Sequence, residues 1–337
     1  MGRLGVRLEV RRIRWSEDGR LTSLFRLFRD SEIRRHDWAI LQYTALGWSE
    51  RGFPFFAILV AMVLKLRGVH FAILMHEPWH QGVVSPEIID HVRATIQDRI
   101  IRLLYLLSDR VFFTIPLSLV GWVPRSDSKS HFVPLGPNIP EILNAPYPPR
   151  APSSDERTVA VFCLSNPPVL HRELDEIAYA TCTAATHLNV RVLFIGRGTP
   201  TASREIDQAF KGTGVRTEIL GVREPANISE VIANSDALLC VRGTVNLRRS
   251  SALAGIACGV PVVGYSGDER GTPLAEAGLS LVPLHDKQQL GIALSRVLQN
   301  DEFAVELHHR NINAQKSYFS WDVVARQYIE SLNQDER

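Results

Sequence analysis

Apolar positions along this chain follow two alternating periods. In the C-terminal half, short apolar runs at 158–165, 190–196, 215–221, 237–241, 260–265 and 279–283 predict strands. Helical spacing between them predicts helices over 171–187, 202–211, 227–234, 248–258, 272–277 and 286–299. Strands that are apolar throughout and alternate with helices require a parallel sheet covered on both faces. This half therefore reads as a Rossmann-like α/β domain. The N-terminal half shows the same alternation less regularly. Residues 5–14 alternate weakly and predict a strand, and 20–33 place Leu21, Leu24, Phe25 and Phe28 at helical spacing. Strands are predicted over 37–43, 69–76 and 110–115, and helices over 53–66 and behind Ser85–Pro86. The longest apolar run, residues 53–64, has twelve residues. A membrane span needs about 20, so this run predicts a buried helix.

Between the halves the composition shifts. Residues 134–157 are dense in proline and polar side chains, the character of a linker or a long surface connection. The expected organisation is an N-terminal domain over 1–137, a linker over 138–157 and a C-terminal domain over 158–318. A last segment, 319–337, crosses back to the first domain. A length of 337 residues suits two domains. The four cysteines lie in apolar runs without CxxC spacing, so buried thiols fit better than disulfides or a metal site. A net charge of +2 excludes nucleic-acid binding by charge alone. The charge is uneven, because residues 1–35 hold ten arginines against five acids. That segment reads either as a solvated face or as a peripheral contact with anionic lipid.

Ligands of parallel α/β sheets bind at the carboxyl ends of strands. Two such halves are expected to leave a cleft between them. The stretch RRSSALAGIACGVPVVGYSG, 248–267, places Arg248, Arg249, Ser250 and Ser251 at a helix start. The first N–H groups of a helix lack internal partners and its dipole points positive end outward, so an anion binds there. Arginine suits phosphate because its fork reaches two oxygens. Arg242, Gly243 and Thr244 precede this point, and Arg172 and Arg197 lie in loops after earlier strands. In the first half, His76 ends a strand, followed by Glu77 and Trp79, and Gln42 and Tyr43 end its neighbour. His308 and His309 read as surface residues of a C-terminal helix.

The stretches ILQYTALGWSERGFP, AILMHEPWH, PLGPNIP, LLCVRGTVNLRRSSALAGIACGVPVVGYSG, GLSLVPLHDKQQLGIALSRVLQNDE and SYFSWDVVARQYIESL occur in an order that resembles the GT-B glycosyltransferases, and within them glycosyltransferase family 4. The resemblance implies two Rossmann-like domains. It implies transfer of a sugar from a nucleotide-diphosphate donor to a polysaccharide, glycolipid or similar acceptor, with retention at the anomeric carbon. The C-terminal domain would hold the donor and the N-terminal domain the acceptor. No metal or other cofactor is implied, since helix N-termini and basic side chains neutralise the leaving diphosphate. The implied setting is cell-envelope polysaccharide or glycolipid assembly in the cytoplasm, on the cytosolic side. The implied catalytic positions are His76, near the transferred sugar, and Asn246.

The chain departs from that pattern. Two glutamates separated by seven residues are usual in the family; counting back from Gly259 places Asn246 and Ala254 there instead. Asn can still bond a sugar, but carries no charge, and Ala cannot bond at all. The family's first strand with its Gly-rich loop has no counterpart, and 5–14 reads as the second strand of such a domain. Two alternatives therefore stand beside the transferase: a catalytically inactive GT-B protein acting as partner or regulatory subunit, and a nucleotide-sugar epimerase.

Overall fold

A computed structural model of the chain describes residues 6–13, 15–80, 87–124, 127–149, 155–269, 271 and 273–333. The chain divides into two compact units, Met1–Pro134 with Val324–Arg337, and Leu135–Val323.

Unit 1 contains a parallel sheet of four strands in the order β1-β2-β3-β4: β1 (Trp38–Tyr43), β2 (His70–Met75), β3 (Arg110–Phe113) and β4 (Ser130–Phe132). Its helices are α1 (Trp15–Asp18), α2 (Arg20–Arg29), α3 (Ala45–Trp48), α4 (Phe55–Leu66) and α5 (Glu87–Leu107). One sheet face packs Leu41, Phe71, Ile73, Val111 and Phe113 against α4 and α5. The other packs Ala72 and Phe112 against Val324 and Tyr328 of the last helix of the chain. The Phe112 and Tyr328 rings lie 4.6 Å apart, and the Arg110 Nε donates to the Ser331 carbonyl at 2.9 Å.

Residues 6–13, expected as part of a strand over 5–14, form no strand. Leu8 and Val10 stay exposed, so burial offsets none of the entropy of ordering them. β4 was invisible to pattern reading because three residues carry no period. The helix expected behind Ser85–Pro86 begins at Glu87 among the described residues; 81–86 lie outside them.

Unit 2 contains six parallel strands in the order β10-β9-β8-β5-β6-β7. They are β5 (Glu156–Phe162), β6 (Asn189–Ile195), β7 (Arg216–Gly221), β8 (Ala237–Val245), β9 (Val262–Ser266) and β10 (Leu279–Val282). The order is that of a doubly wound α/β sheet, reversing between β5 and β8. The helices are α6 (Val169–Ala185), α7 (Ser203–Phe210), α8 (Pro225–Ala233), α9 (Ser250–Ala257), α10 (Lys287–Gln299) and α11 (Asp301–Ala314). α6, α7 and α10 cover one face; α8 and α9 cover the other. Residues 272–277, expected as a helix, contain only a 3₁₀ turn at Leu274–Glu276; Thr272 lies outside the described residues.

The stretch expected as a linker packs onto unit 2 over its described part. Ile139 is buried, the Ile142 N–H donates to the Ala257 carbonyl at 3.0 Å, and the Ser229 hydroxyl donates to the Pro140 carbonyl at 2.6 Å. The Tyr147 hydroxyl donates to the Asp236 carbonyl at 2.7 Å, and its ring stacks 4.7 Å from His308. Three large side chains between the prolines anchor what composition reads as loose. β5 begins at Glu156, inside the expected linker.

His308 is accordingly half-buried rather than a surface residue. Its Nδ1 lies 2.7 Å from the Gly259 carbonyl, and burial lowers its pKa. Next to it, buried Asn311 accepts from the Gly278 N–H at 2.7 Å and donates to the Val260 carbonyl at 2.7 Å. One side chain thus ties α11 to the entries of β9 and β10. Past a π-helical turn at Gln315–Phe319, the Trp321 indole of α12 (Trp321–Leu332) donates to the Pro137 carbonyl at 2.9 Å. From Val324 onward the chain belongs to unit 1.

Candidate functional site

The topological switch of unit 2 falls between β5 and β8, and both strands deliver side chains to it. β8 pairs with β9 through Leu238–Cys240, slips, and resumes at Thr244 and Val245. A bulge re-aims side chains at the end of a strand. Here it contains Arg242, whose Nε donates to the Ser165 hydroxyl in the loop after β5 at 3.2 Å. Gly243 has φ +69°, a left-handed value, and a Cβ there would stand 3.3 Å from an Arg249 guanidinium nitrogen. Glycine therefore serves both the bend and the close approach of that arginine.

Asn246 makes the next turn. Its side-chain oxygen accepts from the Arg248 N–H at 3.0 Å, its carbonyl accepts from the Arg249 N–H at 3.0 Å, and its Nδ2 donates to the Thr244 carbonyl at 3.4 Å. These are the local bonds of an Asx turn. α9 follows with Arg249 at its N-cap, and no side-chain oxygen caps the helix. Ser250 is exposed and Ser251 is buried. The helix start thus presents its N–H groups beside a cation, where the dipole favours an anion.

Burial, followed by repulsion from Arg242, depresses the Arg249 pKa; Arg248 adds to this, while Cys240 and Glu173 oppose it. The Arg249 Nε is buried without a hydrogen-bond partner among the described residues. Arg248 is committed differently. It pairs with Glu269 at 3.0 Å, and the second Glu269 oxygen accepts from the Leu247 N–H at 2.8 Å. Glu173, fully buried on α6, accepts from the Ser165 N–H at 2.8 Å and shapes the loop after β5. Its other oxygen is buried without a partner among the described residues.

Sequence reasoning passed over Glu173 and Glu269. For Glu173 a signal existed: it shares the apolar stripe of Leu170, Leu174 and Ile177, where a carboxylate is out of place. For Glu269 there was none, since its role depends on where the loop after β9 returns.

Other expected residues lie apart from this cluster. Arg172 is exposed, with its Nε 3.8 Å from Glu176 Oε1, which also sits 2.9 Å from His285 Nδ1. Arg197 is exposed in the loop after β6, and its carbonyl accepts from the Leu164 N–H at 3.1 Å. Thr244 rejoins the sheet opposite Tyr265. Ala254 is fully buried in the core under α9.

In unit 1, Gln42 Nε2 and His76 Nε2 lie 2.7 Å apart at the carboxyl ends of β1 and β2. The His76 carbonyl accepts from the Thr114 hydroxyl at 3.3 Å, and the Gln42 carbonyl accepts from the Trp48 indole at 3.0 Å. Tyr43 corrects the expectation that it lines this edge with Gln42. Successive residues of a strand point to opposite faces. Gln42 is exposed, whereas Tyr43 is fully buried in the core, and burial raises its pKa. Glu77 is half-buried, and Trp79 is exposed at a cavity of about 170 Å³ lined also by His80, Asp98, Arg102 and Trp122.

No family model matches the sequence, and no curated protein matches it. Solved structures do match the fold. S. aureus TarM, bound to UDP, fondaparinux and α-GlcNAc-glycerol, superposes with a TM-score of 0.62 at 11% identity, over 93% of this chain and 59% of that one. Anabaena HepE, bound to UDP and glucose, superposes with a TM-score of 0.63 at 14% identity, over 94% and 83%. The fold is that of the GT-B glycosyltransferases. A UDP-N-acetylglucosamine 2-epimerase described as putative, from Listeria monocytogenes, superposes with a TM-score of 0.57 at 12% identity, over 98% and 82%. A shared fold therefore leaves the reaction to be argued from the site.

Proposed function

We propose that this protein is a glycosyltransferase that moves a sugar from a nucleotide-diphosphate donor, with retention, to a saccharide or lipid-linked acceptor. The observation that carries the reading is the convergence of Arg242 and Arg249 on the uncapped start of α9, beside the β5–β8 switch, with Arg248 next to them in an ion pair with Glu269. Like charges gathered at a helix N-terminus repel one another and the dipole, so the cluster is completed by an anion. A diphosphate fits: Arg249 and Arg242 take its oxygens, and the N–H groups at Ser250 and Ser251 take the rest. The same groups stabilise the charge that grows on the departing diphosphate, which makes a bound metal unnecessary. Arg248 holds the turn through Glu269, and Glu173 holds the Ser165 loop. In unit 1, the Gln42–His76 pair presents an imidazole that bonds a sugar or acceptor hydroxyl. TarM and HepE, each solved with UDP, support a uridine donor. The protein works in the cytoplasm on cell-envelope acceptors.

The test is a thermal-shift panel of UDP, GDP, ADP, TDP and their sugars. A ligand at about 100 times its Kd stabilises by about 2.7 kcal/mol. A shift with one nucleotide, absent in Arg249→Gln, supports the reading, and NMR of the sugar product then separates transfer from epimerisation. A second reading, a non-catalytic GT-B subunit, is favoured by one observation: the two positions that resemble the family's glutamates hold a turn-forming Asn246 and a core-packed Ala254. It prevails if no nucleotide shifts the folded protein.

A further inference from the structure

Glu173 occupies a position on α6 that an apolar side chain would fill at lower cost. It lies on the stripe of Leu170, Leu174 and Ile177, it is fully buried, and only one of its oxygens is used. Oε2 accepts from the Ser165 N–H at 2.8 Å, whereas Oε1 is buried without a hydrogen-bond partner among the described residues. Burying a carboxylate is costly unless hydrogen bonds and opposite charge offset it. A single N–H supplies part of that, and the rest falls to the positive charge nearby.

That charge belongs to the arginines at the start of α9. Glu173 attracts the Arg249 guanidinium, although its Oε1 and the Arg249 Nε are both buried without a partner among the described residues. The attraction therefore acts across a gap, which a protein interior screens less than water does. Arg242 is reached through Ser165. Glu173 holds the backbone of that residue, whose hydroxyl accepts from the Arg242 Nε at 3.2 Å. Arg242 and Arg249 repel each other at this point. One carboxylate thus acts on both, by charge on Arg249 and through a bonded residue on Arg242. Being fully buried, it touches no ligand itself.

We propose that Glu173 is a positioning residue that weakens the hold on the anion it helps to receive. In the empty site its carboxylate offsets the repulsion between Arg242 and Arg249 and keeps them gathered. In the filled site the same fixed charge repels the diphosphate and competes with it for the arginines. The nucleotide-diphosphate product therefore leaves more readily than the arginines alone would allow. The inference rests on the diphosphate reading of this site, and adds to it the residue that limits how tightly the product is held.

The experiment is calorimetric titration of the full chain with inorganic pyrophosphate and with UDP, in wild type, Glu173→Gln and Glu173→Asp. Glutamine keeps an oxygen for the Ser165 N–H and loses the charge, whereas aspartate keeps the charge. If Glu173 only held the loop, neither variant would bind more tightly than wild type. The expected sign is different: Glu173→Gln binds at least about fivefold tighter than wild type, and Glu173→Asp no tighter. Stopped-flow dissociation should show the gain as slower release. Thermal denaturation checks that each variant folds. If Glu173→Gln does not, Glu173→Leu removes the same charge and completes the apolar stripe, and the same gain is expected. Binding by wild type with equal or weaker binding in the charge-free variant overturns the inference and leaves the diphosphate reading standing. Wild type that binds neither pyrophosphate nor UDP overturns both.

Discussion

Neutralising Arg249 should separate binding from stability in a way few substitutions do. Its guanidinium sits half-buried at the start of α9, with its pKa depressed by burial and by Arg242 and Arg248. A cation whose charged form is disfavoured by its surroundings contributes no net stability through that charge. Glu173 attracts it, but this opposing effect is outweighed. Arg249→Gln should therefore leave the ligand-free protein as stable as wild type, or raise it by up to about 1 kcal/mol. Ligand binding should move the other way. A charge-assisted hydrogen bond to a phosphate is worth about 1.5–3 kcal/mol, so losing one weakens the nucleotide diphosphate by about 10- to 150-fold. Calorimetric titration gives the affinity and thermal denaturation without ligand gives the stability. Unchanged affinity would refute the diphosphate assignment. A large loss of ligand-free stability would instead show that Arg249 is a structural cation whose partner is Glu173.

Further predictions concern the scaffold. Asn311→Ala strands the Gly278 N–H and the Val260 carbonyl, both bonded to that side chain, and should cost about 3 kcal/mol in urea denaturation; a loss under about 0.5 kcal/mol would contradict the tie between α11 and the sheet. Gly259→Ala forces an L side chain to φ +67° with its Cβ 2.7 Å from Ile312, so a loss of about 1–3 kcal/mol is expected by the same assay. Burial pushes the Cys240 thiol up to about 11 and the Cys258 thiol up to about 12. Unfolded thiols ionise near 8.5, so above that pH the unfolded chain binds fewer protons than the native one. Stability should then fall as pH rises, by up to about 1.4 kcal/mol per pH unit for each thiol. Denaturation at about pH 8 and about pH 10 should show a smaller fall in Cys240→Ala/Cys258→Ala than in wild type; equal falls would count against buried thiols.

The parallel sheet of unit 2 was legible because each buried strand must be apolar along its whole length, and each connecting helix must show a stripe at its own period. The α9 cluster was legible in part, because a helix start is marked locally by Arg248, Arg249, Ser250 and the stop at Gly259. Other features had no local signal. The bulge at Gly243 follows from how β8 pairs with β9, and the pairing of Arg248 with Glu269 from where a loop returns. The wrong expectation for Tyr43 came from reading neighbours in sequence as neighbours in space, although a strand sends them to opposite faces. The packing of 139–147 onto unit 2 and the exposure of one side of α4 escaped composition for one shared reason. Composition reports which side chains favour burial, while tertiary packing decides which of them find a surface. Ile139, Ile142 and Tyr147 found one on unit 2, and the outer row of α4 did not. Local periodicity is written into the order of residues, so the sequence determined the alternation of strands and helices and the arginine-flanked helix start. Long-range contact is not written there, so only the fold decided which charges meet and which apolar row is left to solvent.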